Sequence, residues 1–101
     1  MTSQAVLASI ANSLVTAGLY KSEEAALRAL AIELIERKIS TYQGQVQIFE
    51  GRYQHTLDQH TEVLKETASM QEEDEWMEWK GAAVMLEAWQ QALRDVLDSA
   101  H

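Results

Sequence analysis

The stretch Ala17-Gly18-Leu19-Tyr20-Lys21-Ser22-Glu23-Glu24 decides how the chain reads, because the thirty residues after it follow one helical rhythm. Ser22 is a good N-cap, since its hydroxyl can accept from the orphan backbone N–H groups two or three residues on. Glu23 and Glu24 then stand where the positive end of the helix dipole favours carboxylates. Leu27, Leu30, Leu34, Ile35, Ile39, Tyr42, Val46, Phe49 and Tyr53 continue as an apolar stripe. Gly44 and Gly51 each weaken a helix by up to about 1 kcal/mol against Ala. The rhythm of Tyr42, Val46 and Phe49 nevertheless passes straight through Gly44 and predicts one continuous helix to Tyr53. At the α-helical rise such a helix measures roughly 45 Å, whereas a compact domain of this length spans only about 26 Å. One copy cannot wrap it, so the stretch speaks first of assembly.

Upstream, Val6, Leu7, Ile10, Leu14 and Val15 predict a first helix over 3–17, capped by Thr2 or Ser3 and ended by Gly18. Downstream, 54–68 reads as a link in which Thr56 can cap a short helix carrying Leu57, Val63 and Leu64. Ser69 with Glu72 three residues later has capping-box spacing, and Glu72, Glu73, Asp74 and Glu75 crowd the first turn that follows. A last stripe runs through Trp76, Trp79, Ala83, Leu86, Trp89 or Gln90, Leu93, and Val96 or Leu97, with Met77, Val84 and Met85 widening it.

The expected fold is all-α and a single domain: an N-terminal helix pair over 1–53, the link over 54–68, and an acidic, Trp-rich helix over 69–101. Folded back on each other, the two long helices form an antiparallel hairpin whose stripes are too long and too wide for each other alone. A homodimer with a four-helix-bundle-like core buries the remainder, with Leu30, Leu34, Tyr42, Val46 and Phe49 as its expected seam.

Composition narrows the chemistry. There is no proline and no cysteine among the 101 residues, which excludes disulfides, thiol catalysis and thiolate metal sites. No signal-peptide layout and no membrane-length apolar run occur, so a cytoplasmic protein without membrane contact is expected. The net charge of −8 is uneven: residues 1–40 balance four basic against four acidic groups, and all the excess lies beyond. Phosphate backbones need clustered Lys and Arg, so the C-terminal half suits a basic protein partner better than nucleic acid. It suits plain solubility equally well.

Trp76, Met77, Trp79 and Trp89 are the candidate partner-binding set, because buried aromatics dominate interface energies; the same residues also read as ordinary core. His55 and His60 are five apart, and on one helix they would diverge, so no shared metal is expected. Glu-x-x-His pairs of the di-iron kind are missing, as is any Gly-rich phosphate loop. No catalytic residue and no cofactor are assigned.

The segment from Ser9 to Lys38, with its Gly18-Leu19-Tyr20-Lys21-Ser22 turn and the run Glu23-Glu24-Ala25-Ala26-Leu27-Arg28-Ala29-Leu30, resembles the helix–turn–helix part of ribbon-helix-helix proteins. The antitoxins of bacterial type II toxin–antitoxin pairs are the nearest in layout. The resemblance implies a non-enzymatic antitoxin whose acidic C-terminal half neutralises a small basic toxin. It also implies a phosphate contact at Lys21 and Ser22, where a helix N-terminus suits an anion. Only Met1, Thr2 and Ser3 stand where that family has its DNA-reading strand, so DNA binding is expected to be weak or absent. The alternative is a structural or small-ligand-binding helical-bundle homodimer with no toxin.

Overall fold

A computed structural model of the chain describes residues 3–65 and 69–99; Met1, Thr2, Ala100, His101 and positions 66–68 of the link lie outside them. Four helices follow one another: α1 (Ser3–Thr16), α2 (Glu23–Tyr53), α3 (Leu57–Leu64) and α4 (Met70–Asp98), and no strand occurs among the described residues.

Each boundary has a local cause. α1 stops because Gly18 turns left-handed at φ 80°. Its N–H donates to Val15 O at 2.9 Å and that of Leu19 to Leu14 O at 3.0 Å, the two bonds of a Schellman cap. Ser22 caps α2 by accepting from the Ala25 N–H at 3.1 Å. α2 then runs uninterrupted through Gly44 and Gly51 for 31 residues. It ends where Gln54 adopts φ 57°, a left-handed conformation that costs a non-glycine residue about 1–2 kcal/mol. Thr56 opens α3 with a full capping box: its hydroxyl accepts from the Gln59 N–H at 3.3 Å, and the Gln59 side chain accepts from the Thr56 N–H at 2.9 Å. Ser69 accepts from the Glu72 N–H at 3.2 Å and starts α4.

α2 and α4 run antiparallel. Arg52 meets Glu75 at one end, while Glu23, Leu27 and Arg28 border the same depression as Val96 and Ser99 at the other. Their shared seam holds Ile35, Phe49, Trp79 and Ala82, all buried. The half-buried positions of α4 include Ala83, Leu86, Trp89, Leu93 and Val96, so the inner stripe follows the expected spacing with Val96, not Leu97, as its last member.

α1 departs from its expected face. Val6, Leu7 and Ile10 remain between 42% and 49% exposed, and only Ala11 is buried. The reason is geometric: α1 is apolar over most of its circumference but packs on α2 alone to any extent, and one neighbour covers one side. The whole body is long and thin, 60 × 30 × 19 Å with a radius of gyration of 19.2 Å, against about 13 Å for a compact chain of this length.

Candidate functional site

Two features stand out, a closed cluster of rings where α2, α3 and α4 meet and an open apolar band along α4. The cluster begins with Gln54. Its left-handed turn throws the chain back, so His55 lies outside any helix and its ring stacks on Tyr53 with centroids 6.1 Å apart. His55 precedes the cap Thr56, and His60 is the fourth helical residue after it. These are the positions that pack together in a hydrophobic staple, and here two imidazoles fill them. His55 Nε2 and His60 Nδ1 are 2.7 Å apart, so one ring donates to the other. The one-helix reading that made these side chains diverge is therefore corrected. The capping box of Thr56 and Gln59 was the signal that places His55 before the helix and His60 within it.

Trp79 of α4 is the floor of the cluster and is 0% exposed. Its ring centroid lies 5.7 Å from that of Phe49, 5.8 Å from Tyr53 and 5.2 Å from His60. Polar contacts pin the rim. The Tyr53 hydroxyl donates to Glu75 Oε2, and Arg52 reaches Glu75 Oε1 at 3.4 Å. The Trp76 indole N–H donates to the Thr61 hydroxyl at 2.8 Å, which itself donates to Leu57 O at 2.9 Å. His60 is 3% exposed, and its Nε2 has no hydrogen-bond partner among the described residues, nor do the indole nitrogens of Trp79 and Trp89. Burial first, and the neighbouring His55 second, hold His60 below the usual histidine range, opposed by Glu72.

Chemically, this arrangement favours a neutral His60 imidazole shielded by rings. The Tyr53 hydroxyl is committed to Glu75 and that of Thr61 between Leu57 O and Trp76, and among the described residues no three His, Cys, Asp or Glu side chains come together to hold a metal ion. What the cluster does is lock α3 and the start of α4 onto the end of α2.

The band lies on the opposite face of α4. Met77 is 64% and Val84 56% exposed, and Met70 is more exposed still. Gly81 falls between Met77 and Val84, and Ala88 follows Val84 on the same exposed stripe. A Cβ built on Gly81 meets nothing within 4 Å, so no contact inside the chain calls for glycine there, although it weakens the helix by about 1 kcal/mol against Ala. Grooves beside the band make it continuous with its neighbours. One, lined by Thr61, Leu64, Trp76 and Met77, leads to α3, and another, lined by Ile48, Phe49, Gly81 and Met85, leads to α2.

The residues singled out in the sequence divide between these features. Trp79 and Phe49 are interior, and Trp76, Trp89, Leu30, Tyr42 and Val46 are half-buried. Met77 and Leu34 are exposed. Lys21 is exposed, while the Ser22 hydroxyl is engaged in its cap. Glu72, Glu73 and Asp74 are exposed at the start of α4. No helix among the described residues is long and apolar enough to cross a membrane. No family model matches the chain, and no curated protein or solved structure shows a significant match to it. The functional reading therefore rests on the residues themselves.

Proposed function

We propose that the chain is a non-enzymatic interaction protein. It works as a homodimer and engages a small basic protein through the acidic start of α4, in the manner of an antitoxin with its toxin. The observation that carries the dimer is surface area. The chain exposes 7424 Å², whereas a folded monomer of this mass exposes about 5,800 Å². The excess, roughly 1,600 Å² per chain, falls in the range that obligate homodimers bury. Much of what is exposed is apolar, including Val6, Ile10, Leu34, Ile48, Met77 and Val84, which a lone protomer leaves in water at a cost.

The basic partner follows from charge. Glu72 and Asp74 stand in solvent at the start of α4 beside exposed Met70, a surface that attracts a cationic protein and offers it an apolar anchor. A contact with DNA would rest on Lys21 alone and is not part of this reading. Co-expression with the neighbouring reading frame, followed by pull-down through a tag on this chain, tests it. A stoichiometric basic protein is the expected product. Recovery of the chain alone as a dimer removes the antitoxin and leaves a structural bundle, while a monomer in sedimentation equilibrium removes the dimer as well.

A further inference from the structure

The homodimer has several apolar faces on which to form, and charge distinguishes them. Beyond residue 40 the chain carries four cations: Arg52, Lys65, Lys80 and Arg94. Arg52 pairs with Glu75 and Lys65 with Glu62. Among the described residues Lys80 and Arg94 have no carboxylate partner inside the chain: Lys80 lies over the Trp76 ring at 5.0 Å, and Arg94 donates to Gln91 at 2.7 Å. Both are exposed, and both flank the outer band of α4 on the same side, as do the exposed Glu73 and Glu87. The four therefore occupy equivalent edge positions, one heptad apart, beside a stripe spaced by threes and fours.

We infer that in the homodimer α4 packs antiparallel against α4 of the second copy, outer band to outer band, about a twofold axis that passes between the two helices at a height midway between Gly81 and Val84. The inference rests on the homodimer proposed above and names its surface. In an antiparallel pair the residues of such a stripe meet in couples symmetric about the axis. This register sets Met77 against Ala88 of the second copy and Val84 against its Gly81, each large side chain facing a small one. Gly81 thereby gains a reason that nothing within its own chain provides: a helix lacking a Cβ there lets Val84 of the other copy come close.

The same register decides the edges. Lys80 comes beside Glu87 of the second copy, and Arg94 beside its Glu73, so both cations without a carboxylate receive one, twice over by symmetry. A parallel pairing does the reverse, because it brings Glu73 next to Glu78 of the second copy and leaves Lys80 opposite Met85. Edge charges of this kind choose orientation in paired helices. A face on α1 has no such complement, since Val6, Leu7 and Ile10 stand on a helix without a single charged residue.

The chain contains no cysteine, which makes disulfide mapping direct. Met77→Cys and Ala88→Cys are placed in separate, differently tagged full-length chains, which are co-expressed and gently oxidised. In the antiparallel register the two positions face each other across the axis. Each is about 16 Å along the helix from its own symmetry mate, well past the roughly 7 Å Cα separation a disulfide tolerates. The expected product is the mixed disulfide, with little from either variant alone. A Met77→Cys homodisulfide from that variant alone would overturn the antiparallel register. A dimer in sedimentation equilibrium that forms no disulfide at these positions would overturn the surface and leave the homodimer standing on another face. A monomer would overturn both.

Discussion

The two faces of α4 are made alike and treated differently. Toward α2 it presents Trp79, Ala82, Leu86 and Leu93, buried or half-buried; toward solvent it presents Met77, Gly81, Val84 and Ala88, all exposed. Both rows follow the same rhythm of threes and fours. The inner row is built around a large ring stacked on Phe49, with Tyr53 and His60 beside it, and the outer row alternates flexible or branched side chains with small ones. Periodicity reveals that a helix face is apolar; it does not say what covers it. A Trp surrounded by rings from three elements belongs to the protomer, whereas nothing within the protomer accounts for the glycine in the outer stripe.

The sharpest way to break this contrast is at Trp79. Trp79→Ala removes the floor of the ring cluster, and substitutions of this size in a core cost about 3–5 kcal/mol, a large share of the roughly 5–15 kcal/mol that holds a domain together. The thermal midpoint followed by circular dichroism should fall by well over about 10 °C. A variant melting within a few degrees of the parent would mean that the inner face is not the core. Trp79→Phe keeps a ring and removes the indole N–H that has no partner among the described residues, so its loss should be distinctly smaller.

On the outer face the expected effect has a different character. Val84→Glu puts a carboxylate on the exposed stripe, where nothing in the protomer clashes with it. In the dimer it would sit at the centre of the interface, where each buried Val contributes about 1.5–3 kcal/mol, twice by symmetry. Helicity at low concentration should be unchanged, sedimentation should shift to monomer, and the midpoint should cease to rise with protein concentration. If the variant stays dimeric, the outer band is not the surface that the second copy covers.

Much of this was legible before any coordinates. The caps at Ser22, Thr56 and Ser69 follow from side-chain chemistry a few residues long, and the inner stripe of α4 follows from spacing. What resisted was whatever depends on two elements meeting. Val6, Leu7 and Ile10 obey a helical period, yet the period cannot reveal that α1 has too few neighbours to bury them. Glu75 reads as one more carboxylate in the acidic run near the start of α4; only the end of α2 makes it the acceptor for Tyr53 and Arg52. The spacing of His55 and His60 diverges on a single helix, but the left-handed turn at Gln54 and the cap at Thr56 put His55 outside the helix that holds His60. Phe49, placed in the dimer seam by pattern, is stacked on Trp79 inside the chain.

The histidine pair sharpens the comparison through pH. Burial and the adjacent His55 lower the affinity of His60 for a proton in the folded state, so the unfolded chain, with a histidine pKa near about 6.5, binds that proton more readily. The contribution of the neutral ring is fully present above that value and is lost as the pH falls through it toward the lower folded value. The thermal midpoint should thus decline between about pH 7.5 and pH 5, and His60→Phe should flatten that decline, since it fills the site without a titrating group. An equal slope in both proteins would place the pH sensitivity elsewhere than at His60. Dimerisation through the outer band should be less affected, because no histidine lies on that face.

The smallest effect is the one that tells the two orientations apart. Lys80 and Glu87 are seven residues apart on the exposed edge of α4, too far to pair within one helix, where neighbours stand three or four apart. Lys80→Glu therefore loses no carboxylate contact inside the protomer, only the ring contact with Trp76, and any large change in dissociation constant must come from the second copy. Exposed ion pairs contribute about 0.2–1 kcal/mol each, and symmetry counts this one twice, so the dimer should weaken by a few-fold to about thirtyfold. Adding Glu87→Lys restores opposite charges across an antiparallel interface but not across a parallel one, where Lys80 and Glu87 never meet. Rescue by the double variant, shrinking as salt screens the pair, is the expected result. Additive weakening would mean that these edges face solvent in the dimer, and that the outer band of α4 is covered in some other register.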